Sequence, residues 1–289
     1  MSTAQFSAIQ RLLAGGRKTA KRSKVWTRIH EETGVGVIIG SELAFTASEV
    51  QRLRKYAEHL TGLDPQYENL AGGRMEMADK SSHEKQATGS VFGSLLVMAT
   101  AGNARLVINN QEVKSPVGSE ICATPDSIDR QALARSRVVL VENGAPLTYK
   151  DDIKLPTAWE NSVLLYRGHG DNARDVERIV AEHPDDLLAL YYDFDPEGLA
   201  MALGHGKGEV LIPENWTEFV EGNLDFDNTN QRDSFRRQSS SMKRLEALAA
   251  GTAWEAITAA MKKNEVAIMQ EHVTVRHWPL TNYPKSADQ

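Results

Sequence analysis

The chain has 289 residues, of which 41% are hydrophobic and 25% are charged, and its formal net charge is −6. This length allows two domains or one large one with an ample core, and no run approaches the roughly 18 apolar residues of a membrane span. A single cysteine, Cys122, excludes an internal disulfide and a cysteine-cluster zinc site. The first residues, MSTAQFSAIQRLL, lack the apolar region of a signal peptide. We therefore expect a soluble cytoplasmic protein.

The charges are distributed unevenly along the chain. Residues 11–28 contain seven lysine or arginine residues and no acid, whereas residues 184–227 contain eleven acids and a single lysine, Lys207. A basic segment of this kind favours contacts with phosphates. Within it, the residues predicted to bind DNA are Arg17, Lys18, Lys21 and Arg22. A solvated helix face or loop explains the same segment equally well.

The first 65 residues are predicted to form a mixed α+β module. The spacing of apolar residues predicts helices at 3–14 and 24–33, a hairpin-like β segment at 35–46, and a capped helix that runs to His59. Two helices, a β-ribbon and a third helix are compatible with a winged-helix-like module. Such a module would bind DNA or a partner protein.

Residues 66–130 are predicted to contain a linker followed by a small β-rich subdomain. Glycine, proline and aspartate punctuate residues 62–82. The sequences GSLLVMATAG and ARLVINNQEVKSP follow, and in the second of them Asn109 and Asn110 fit the tight turn of a hairpin.

From residue 131 onward, strands and helices are predicted to alternate. The predicted strands are 137–143, 162–170, 187–195 and 209–214, and the predicted helices are 151–160, 171–183 and a short one near 216–221. This alternation predicts parallel βαβ units with right-handed crossovers, and therefore an α/β fold. Amphipathic helices at about 230–249 and 252–264, and an edge strand at 272–280, are predicted to complete the domain.

Acidic residues follow two of the predicted strands. Asp193 and Asp195 end the run LLALYYDFD, and on an extended chain their side chains leave the same face, roughly 6.6 Å apart. Glu142 ends the earlier strand RVVLVEN. Parallel strands align their carboxyl ends, so the three carboxylates should converge at one edge of the sheet. Carboxylate oxygens are the ligands that hard cations such as Mg²⁺ prefer.

Each of these residues also has a simpler structural explanation. Asp195 precedes Pro196 and fits the N-cap of a helix, and acids often end strands. Three further residues are possible accessory groups. Glu197 would add a carboxylate or complement a helix dipole, His169 in the Gly-His-Gly loop would contact phosphate or move a proton, and Lys207 would stabilise charge on a phosphate. For Glu197 and Lys207, a helix end and an exposed loop are the simpler explanations.

The ordered set of VEN, a Gly-x-Gly loop and YYDFDPEGL resembles the Toprim domains of topoisomerases, primases and nucleases. The form with Asp-Pro-x-Gly is most similar to the topoisomerase VI A subunit and to the JetD/MksG nuclease subunits of Wadjet-type, condensin-like plasmid-defence systems. The resemblance covers about residues 135–222. It implies a Rossmann-like catalytic domain at 131–225, completed by 226–289, in which Glu142, Asp193 and Asp195 bind Mg²⁺, or Mn²⁺, and act on DNA phosphodiesters. It further implies partners in an SMC-type complex, and we expect a homodimer.

Several different chemistries remain open. Topoisomerase VI-like enzymes attack DNA with a tyrosine, for which Tyr56 and Tyr67 are the N-terminal candidates, although neither has a flanking signature. Haloacid-dehalogenase-type phosphatases also use an Asp-x-Asp motif, but on their first strand and with Thr or Val where this chain has Glu197. A non-catalytic Toprim scaffold would keep nearly the same carboxylates. We favour hydrolysis by metal-activated water.

Overall fold

The computed structural model describes residues 1–68 and 94–283. The chain divides into two compact units, residues 1–93 and 94–289. Most of the linker predicted over 62–82 lies outside the described residues. Among the described residues, no helix is both long enough and apolar enough to cross a membrane.

Unit 1 contains three helices and a small antiparallel sheet. Its elements are α1 (Thr3–Ala14), β1 (Thr19–Lys21), α2 (Lys24–Thr33), β2 (Val37–Ile39), β3 (Glu42–Ala44) and α3 (Ala47–Thr61). Ser2, Ser23 and Thr46 cap the three helices through their side-chain oxygens. The three predicted helices and the hairpin are confirmed. Strand β1, which lies within the basic segment and joins the sheet in the order β1-β3-β2, was not predicted.

The core of unit 1 forms where α1 packs on α2 and α3. Phe6 and Ile9 on α1, Ile29 on α2 and Leu53 on α3 are fully or almost fully buried. These residues lie three or four positions apart from other apolar residues on their helices, so each helix presents one apolar face to this core.

Unit 2 is built on a mixed sheet of seven strands, in the order β12-β11-β10-β8-β9-β4-β7. The strands are β4 (Leu96–Thr100), β7 (Ile121–Ala123), β8 (Val138–Val141), β9 (Val163–Tyr166), β10 (Leu188–Tyr191), β11 (Glu209–Pro213) and β12 (Leu280–Tyr283). The separate hairpin of β5 (Leu106–Ile108) and β6 (Gln111–Val113) turns at Asn109 and Asn110, both with positive φ, as predicted.

Helices cover the sheet and continue towards the C-terminus. They are α4 (Arg130–Ala134), α5 (Ala145–Thr148), α6 (Ala173–Glu182), α7 (Pro196–Gly204), α8 (Leu224–Thr229), α9 (Arg232–Arg237), α10 (Ser239–Ala249), α11 (Trp254–Asn264) and α12 (Gln270–Val275). Short 3₁₀ turns lie at Pro125–Ser127, Gly170–Asn172, Asp185–Leu187 and Trp216–Glu218. Helix α10 packs on α7, and α12 packs on α5.

The four central strands, β8 to β11, are parallel, as the alternation of the sequence predicts. Strands β8 and β10 are buried along their whole length, as expected of parallel strands covered on both faces. The α/β architecture of the sheet is therefore confirmed, with antiparallel strands at both of its sides.

Three local predictions were wrong. Residues 151–160 form turns and not a helix, because Pro156 disfavours helical backbone in the residue before it. Residues 272–280 were predicted as an edge strand, but α12 continues to Val275 and the edge strand begins only at Leu280. Strands β4 and β7 belong to the main sheet instead of a subdomain of their own.

The strand order places a topological switch point between β8 and β10. The connection from β8 leads to β9 on one side, whereas the connection from β10 leads through α7 to β11 on the other. In open α/β sheets the two departing connections leave a crevice at the carboxyl ends of such neighbouring strands, and ligands bind there. The carboxyl ends of β8 and β10 carry Glu142 and Asp193.

Candidate functional site

Glu142 and Asp193 meet directly at the switch point. Because Val141 and Tyr191 are register partners, both strands end at the same level. The backbone N–H of Asp193 donates a hydrogen bond to Glu142 Oε2 at 2.9 Å. The two residues are only 7% and 9% exposed. Burying two carboxylates side by side is unfavourable unless other groups compensate their charge.

The carboxylate of Asp193 is held from the side of α12 and from the residue after Glu142. The backbone N–H of Gln270 donates to Asp193 Oδ1 at 2.7 Å. Asn143 Nδ2 lies 3.2 and 3.3 Å from the two carboxylate oxygens and donates towards them. The same Asn143 amide approaches Glu271 Oε2 at 3.5 Å. These donors position Asp193 at the edge of the sheet.

Asp195 lies at the start of α7, as its position before Pro196 predicted. Its Oδ1 accepts the backbone N–H of Gly198 at 2.7 Å, and its Oδ2 accepts Nε2 of Gln238 at 2.6 Å. Asp195 is 3% exposed. The N-cap interpretation of this residue is therefore confirmed. A carboxylate oxygen accepts more than one contact, so this role is compatible with a ligand at the same oxygens.

Burial and mutual repulsion make the ionised forms of the two central carboxylates unfavourable. Burial, together with the charge of Glu142, raises the pKa of Asp193 to about 7. The hydrogen bond from the backbone of Gln270 acts in the opposite direction and lowers this pKa. Burial also raises the pKa of Glu142, and the charges of Asp195 and Glu197 add to this effect. A nearby positive charge would favour ionisation of both groups.

Arg167, which follows β9, is the cation that approaches this pair. Its Nη2 lies 3.6 Å from Glu142 Oε1, and its side chain is 40% exposed. Its Nε is buried and has no hydrogen-bond partner among the described residues. The guanidinium therefore offsets part of the charge of Glu142 and retains donor capacity for a further anionic group.

Gly198 allows the chain to turn tightly from β10 into α7. A Cβ at this position would lie 2.3 Å from the carbonyl oxygen of Asp193 and 3.0 Å from its nitrogen. The glycine of the DPEG motif therefore permits the contact of α7 with the backbone of Asp193, and a larger residue would displace that backbone.

We expect Gly198→Ala to lower the free energy of unfolding by about 3 kcal/mol, because Cβ overlaps backbone that cannot move aside cheaply. Gly144→Ala is the matched control, since Gly144 has ordinary helical φ and no atom within 4 Å of an added Cβ. Because Gly144 is the N-cap of α5, where alanine is less favoured than glycine, that control should cost no more than about 1 kcal/mol. Urea denaturation of both variants checks the prediction, and equal stabilities would contradict it.

Gln270 is a positioning residue that sequence reasoning missed. It is completely buried, and its Nε2 donates to the Tyr191 carbonyl at 2.7 Å while its Oε1 accepts the N–H of Asn143 at 2.8 Å. It thereby ties together the ends of β10 and β8. Gln270 lies 77 residues after Asp193, and no local motif marks it. Gln238, which bonds Asp195, is equally unmarked.

The predicted accessory residues lie in different places. Glu197 is exposed in the first turn of α7, and its backbone N–H donates to Gln238 Oε1 at 3.1 Å. His169 is exposed, and its Nδ1 lies 2.9 Å from the hydroxyl of Tyr166. Lys207 lies before β11, at the opposite edge of the sheet, where its Nζ donates to the carbonyls of Ala181 and His183 at the end of α6. This position separates Lys207 from the carboxylates.

The predicted DNA-binding residues belong to unit 1. Arg17, Lys18, Lys21 and Arg22 lie on or beside β1, and all four are exposed. Their charges are therefore available to solvent, as either interpretation of the basic segment requires.

The donor set at the switch point consists of carboxylate oxygens with an asparagine beside them, which suits a hard divalent cation. Within residues 1–68 and 94–283, no three His, Cys, Asp or Glu side chains are gathered as closely as a bound metal ion requires. Glu142 and Asp193 are in place, whereas both oxygens of Asp195 are engaged as a helix cap. The two residues placed to fit such a cation are therefore Glu142 and Asp193, while Asp195 serves as the cap of α7.

The fold and the site together define an α/β protein with a buried carboxylate pair at the switch point of a mixed sheet. The chain belongs to the family described as a domain of unknown function, DUF7281, whose model matches residues 93–282. This match covers nearly the whole described part of unit 2 and leaves all but the last residue of unit 1 outside. No curated protein matches the chain.

Proposed function

We propose that this protein is a Mg²⁺-dependent DNA endonuclease whose catalytic residues are Glu142, Asp193 and Asp195. The observation that carries the proposal is the meeting of two buried acidic residues at the switch point of the sheet, where the backbone N–H of Asp193 donates to the carboxylate of Glu142. The stability of the fold does not require two buried acidic residues here, because apolar residues would fill the same space without a desolvation cost. Functional sites are where such arrangements concentrate.

The proposed cofactor is Mg²⁺, with Mn²⁺ as a substitute, held by Glu142 and Asp193 together with Asp195. When bound, such a cation polarises a phosphodiester and lowers the pKa of a coordinated water. Asn143 and the N–H of Gln270 orient Asp193. Arg167 is the residue placed to contact a phosphate oxygen, since it carries an unused donor beside Glu142.

We further propose that the fold of unit 2 is of the Toprim type and that the protein is the nuclease subunit of a condensin-like, SMC-type defence system. Three features support this: Glu142 after one parallel strand, the DFDPEG motif after its neighbour, and the Gly168 to Gly170 loop after β9. The pairing of two cleavage sites with two DNA strands favours a homodimer. Light scattering on the purified protein tests this proposal, and a mass near 32 kDa, that of one chain, would contradict a homodimer.

Unit 1 is proposed to be a winged-helix-like module that holds DNA through its basic segment. The logarithm of the DNA-binding constant falls linearly with the logarithm of the salt concentration. Replacement of Lys18 and Lys21 by glutamine should make this slope less negative by up to about 2, since each lost phosphate contact removes about 0.9. Replacing Arg17 and Arg22 by glutamine in the same variant should make the slope still less negative. Fluorescence anisotropy with duplex DNA measures the slope.

The matched control for this measurement is replacement of Lys262 and Lys263, two exposed lysines on α11. We expect this pair to leave the salt slope unchanged. Equal slopes for all variants and the wild type would show that the basic segment is a solvated surface and not a DNA contact.

Attack by a tyrosine receives little support from the surroundings of the two candidate residues. The hydroxyl of Tyr56 donates to Glu32 Oε2 at 2.9 Å, and burial raises the pKa of Tyr56. Tyr67 is 74% exposed, with the guanidinium of Arg54 over its ring. Within residues 1–68 and 94–283, neither hydroxyl contacts a base with a raised pKa, and we favour metal-activated water as the nucleophile.

A phosphatase and a non-catalytic scaffold would place different demands on the aspartates. A haloacid-dehalogenase-type phosphatase would need its nucleophilic aspartate on the first strand, whereas Asp193 follows β10, the third of the four parallel strands along the chain. A scaffold would keep the carboxylates without cleaving DNA. Only an activity measurement separates that scaffold from the nuclease.

The experiment is incubation of supercoiled plasmid with the full-length protein in Mg²⁺, in Mn²⁺ and in EDTA. We expect nicked or linear DNA with either metal, none in EDTA, and no protein covalently attached to the product. A covalent protein–DNA adduct would show that a tyrosine, and not water, attacks the phosphodiester. Intact plasmid under all conditions, including in the presence of an SMC-type partner, would reject the endonuclease in favour of the scaffold.

A further inference from the structure

A cavity of about 270 Å³ lies between α6 and α7. Arg167 and Gly168, which follow β9, and Tyr192, which follows β10, belong to its lining. One part of the cavity therefore reaches the carboxyl edge of the sheet, where the carboxylate pair lies. Arg167 belongs to both, because it lines the cavity and contacts Glu142.

The cavity carries two arginines from different parts of the chain. Arg167 contributes a buried Nε without a partner among the described residues. Arg244, on α10, extends its guanidinium over the end of α7, and a Cβ at Gly204 would lie 2.7 Å from its Nη2. The absence of a side chain at Gly204 thus provides the space that this guanidinium occupies. The acidic residue in the lining is Glu177, which is exposed.

The remaining wall of the cavity is apolar. Val176 and Val180 line it from α6, Met201 from α7 and Leu140 from β8. Tyr192 is buried, and its hydroxyl lies 2.8 Å from His205 Nε2 at the end of α7. A pocket lined by two guanidinium groups and by apolar side chains suits a ligand with a phosphate and a flat or apolar body.

We propose that this cavity binds one nucleotide unit of the DNA strand, with its phosphate on Arg167 and Arg244 and its base against the apolar wall. This inference rests on the proposed function and names the substrate subsite next to the carboxylates. A volume just below the range of about 300–1,000 Å³ typical of small-molecule sites matches a single unit and not a longer segment. Bases bind such walls with little sequence preference, because every base offers an apolar face.

The test is calorimetric titration of the full-length protein in EDTA with thymidine 5′-monophosphate, and separately with thymidine and with inorganic phosphate. We expect the nucleotide to bind and each fragment to bind at least about tenfold more weakly. Arg244→Gln should weaken nucleotide binding at least about tenfold, the scale of one charge-assisted hydrogen bond. Lys243→Gln, on the same helix with an exposed side chain, is the matched control and should bind as the wild type does.

Met201→Trp is a second variant that changes no charge and fills the cavity, so it should abolish nucleotide binding. A short thymidine oligonucleotide should displace the nucleotide, which distinguishes a strand-binding subsite from a site for free nucleotides. Absence of nucleotide binding to the wild type at millimolar concentration would overturn the proposal. Equal affinities of the Arg244 and Lys243 variants would overturn it as well.

The failure of this inference and the failure of the proposed function give different results. If nucleotide binding in EDTA depends on Arg244 but plasmid cleavage does not depend on Asp193, the nucleotide site in the cavity is supported and the proposed endonuclease function is contradicted. If cleavage depends on Asp193 while Arg244→Gln leaves the KM for DNA unchanged, the endonuclease stands and the cavity is not its subsite.

Discussion

Asp193→Ala is expected to lower Mg²⁺-dependent DNA cleavage by more than about a hundredfold. Removal of one preorganised electrostatic group from an active site has an effect of this size. Asp193 is the residue on which the site converges: Glu142, Asn143 and Gln270 all contact it through hydrogen bonds. The measurement is the initial rate of supercoiled plasmid cleavage at saturating Mg²⁺.

The control for this variant is Asp186→Ala. Asp186 is exposed in the turn Asp185–Leu187, before the amino end of the strand whose carboxyl end carries Asp193. The control variant therefore removes the same charge from the opposite edge of the sheet, and it should cleave at the wild-type rate. Cleavage by Asp193→Ala at that rate would remove the carboxylate pair from the mechanism.

The second expected result concerns stability without metal. Asp193→Asn should be more stable than the wild type at pH 8 in EDTA, by up to about 4 kcal/mol. The reason is that the pKa of Asp193 is about 7 in the fold against 3.8 as its ordinary value, and each unit corresponds to about 1.36 kcal/mol. Asparagine keeps an oxygen that accepts the N–H of Gln270.

The sign of this effect follows from proton binding. Between about pH 4 and pH 7 the folded protein retains the Asp193 proton that the unfolded chain has released, so the free energy of unfolding falls as the pH rises. Glu142, Asp195 and Glu271 add negative charge around the group. The Asn variant should lose this part of the pH dependence, while Asp186→Asn, which alters an exposed carboxyl, should retain it.

Chemical denaturation across pH 4 to 8 measures both profiles. Saturating Mg²⁺ should restore the stability of the wild type at pH 8, because a cation favours the ionised carboxylates, and it should do little for Asp193→Asn. Parallel pH profiles for wild type and Asp193→Asn would contradict the burial argument.

Much of the parallel core could be predicted from the sequence, because its strands are continuous apolar runs separated by helical periodicity. The convergence of Glu142 and Asp193 followed from the rule that parallel strands align their carboxyl ends. Asp195 was also placed correctly at a helix start, since Pro196 follows it. These inferences depend on residues that are close in sequence or on strands of known direction.

What could not be predicted depends on contacts between distant segments. Gln270 reaches the site from the first position of α12, a helix whose residues 272–275 were predicted to begin a strand. Packing against α5 makes that segment helical instead. The proximity of Arg244 to Gly204 likewise depends on the packing of α10 on α7, which no local pattern encodes. Lys207 was grouped with the site by sequence proximity, although the direction of α7 carries it to the other edge.

The most direct test of the central claim is calorimetric titration of Mg²⁺, and in parallel Mn²⁺, into the wild type, Asp193→Asn and Asp186→Asn at pH 8. The carboxylate pair at the switch point predicts saturable binding to the wild type and to the Asp186 variant, and loss of binding in the Asp193 variant. Equal binding isotherms for all three proteins, or no binding to any of them, would contradict the account of Glu142 and Asp193 as a divalent-cation site.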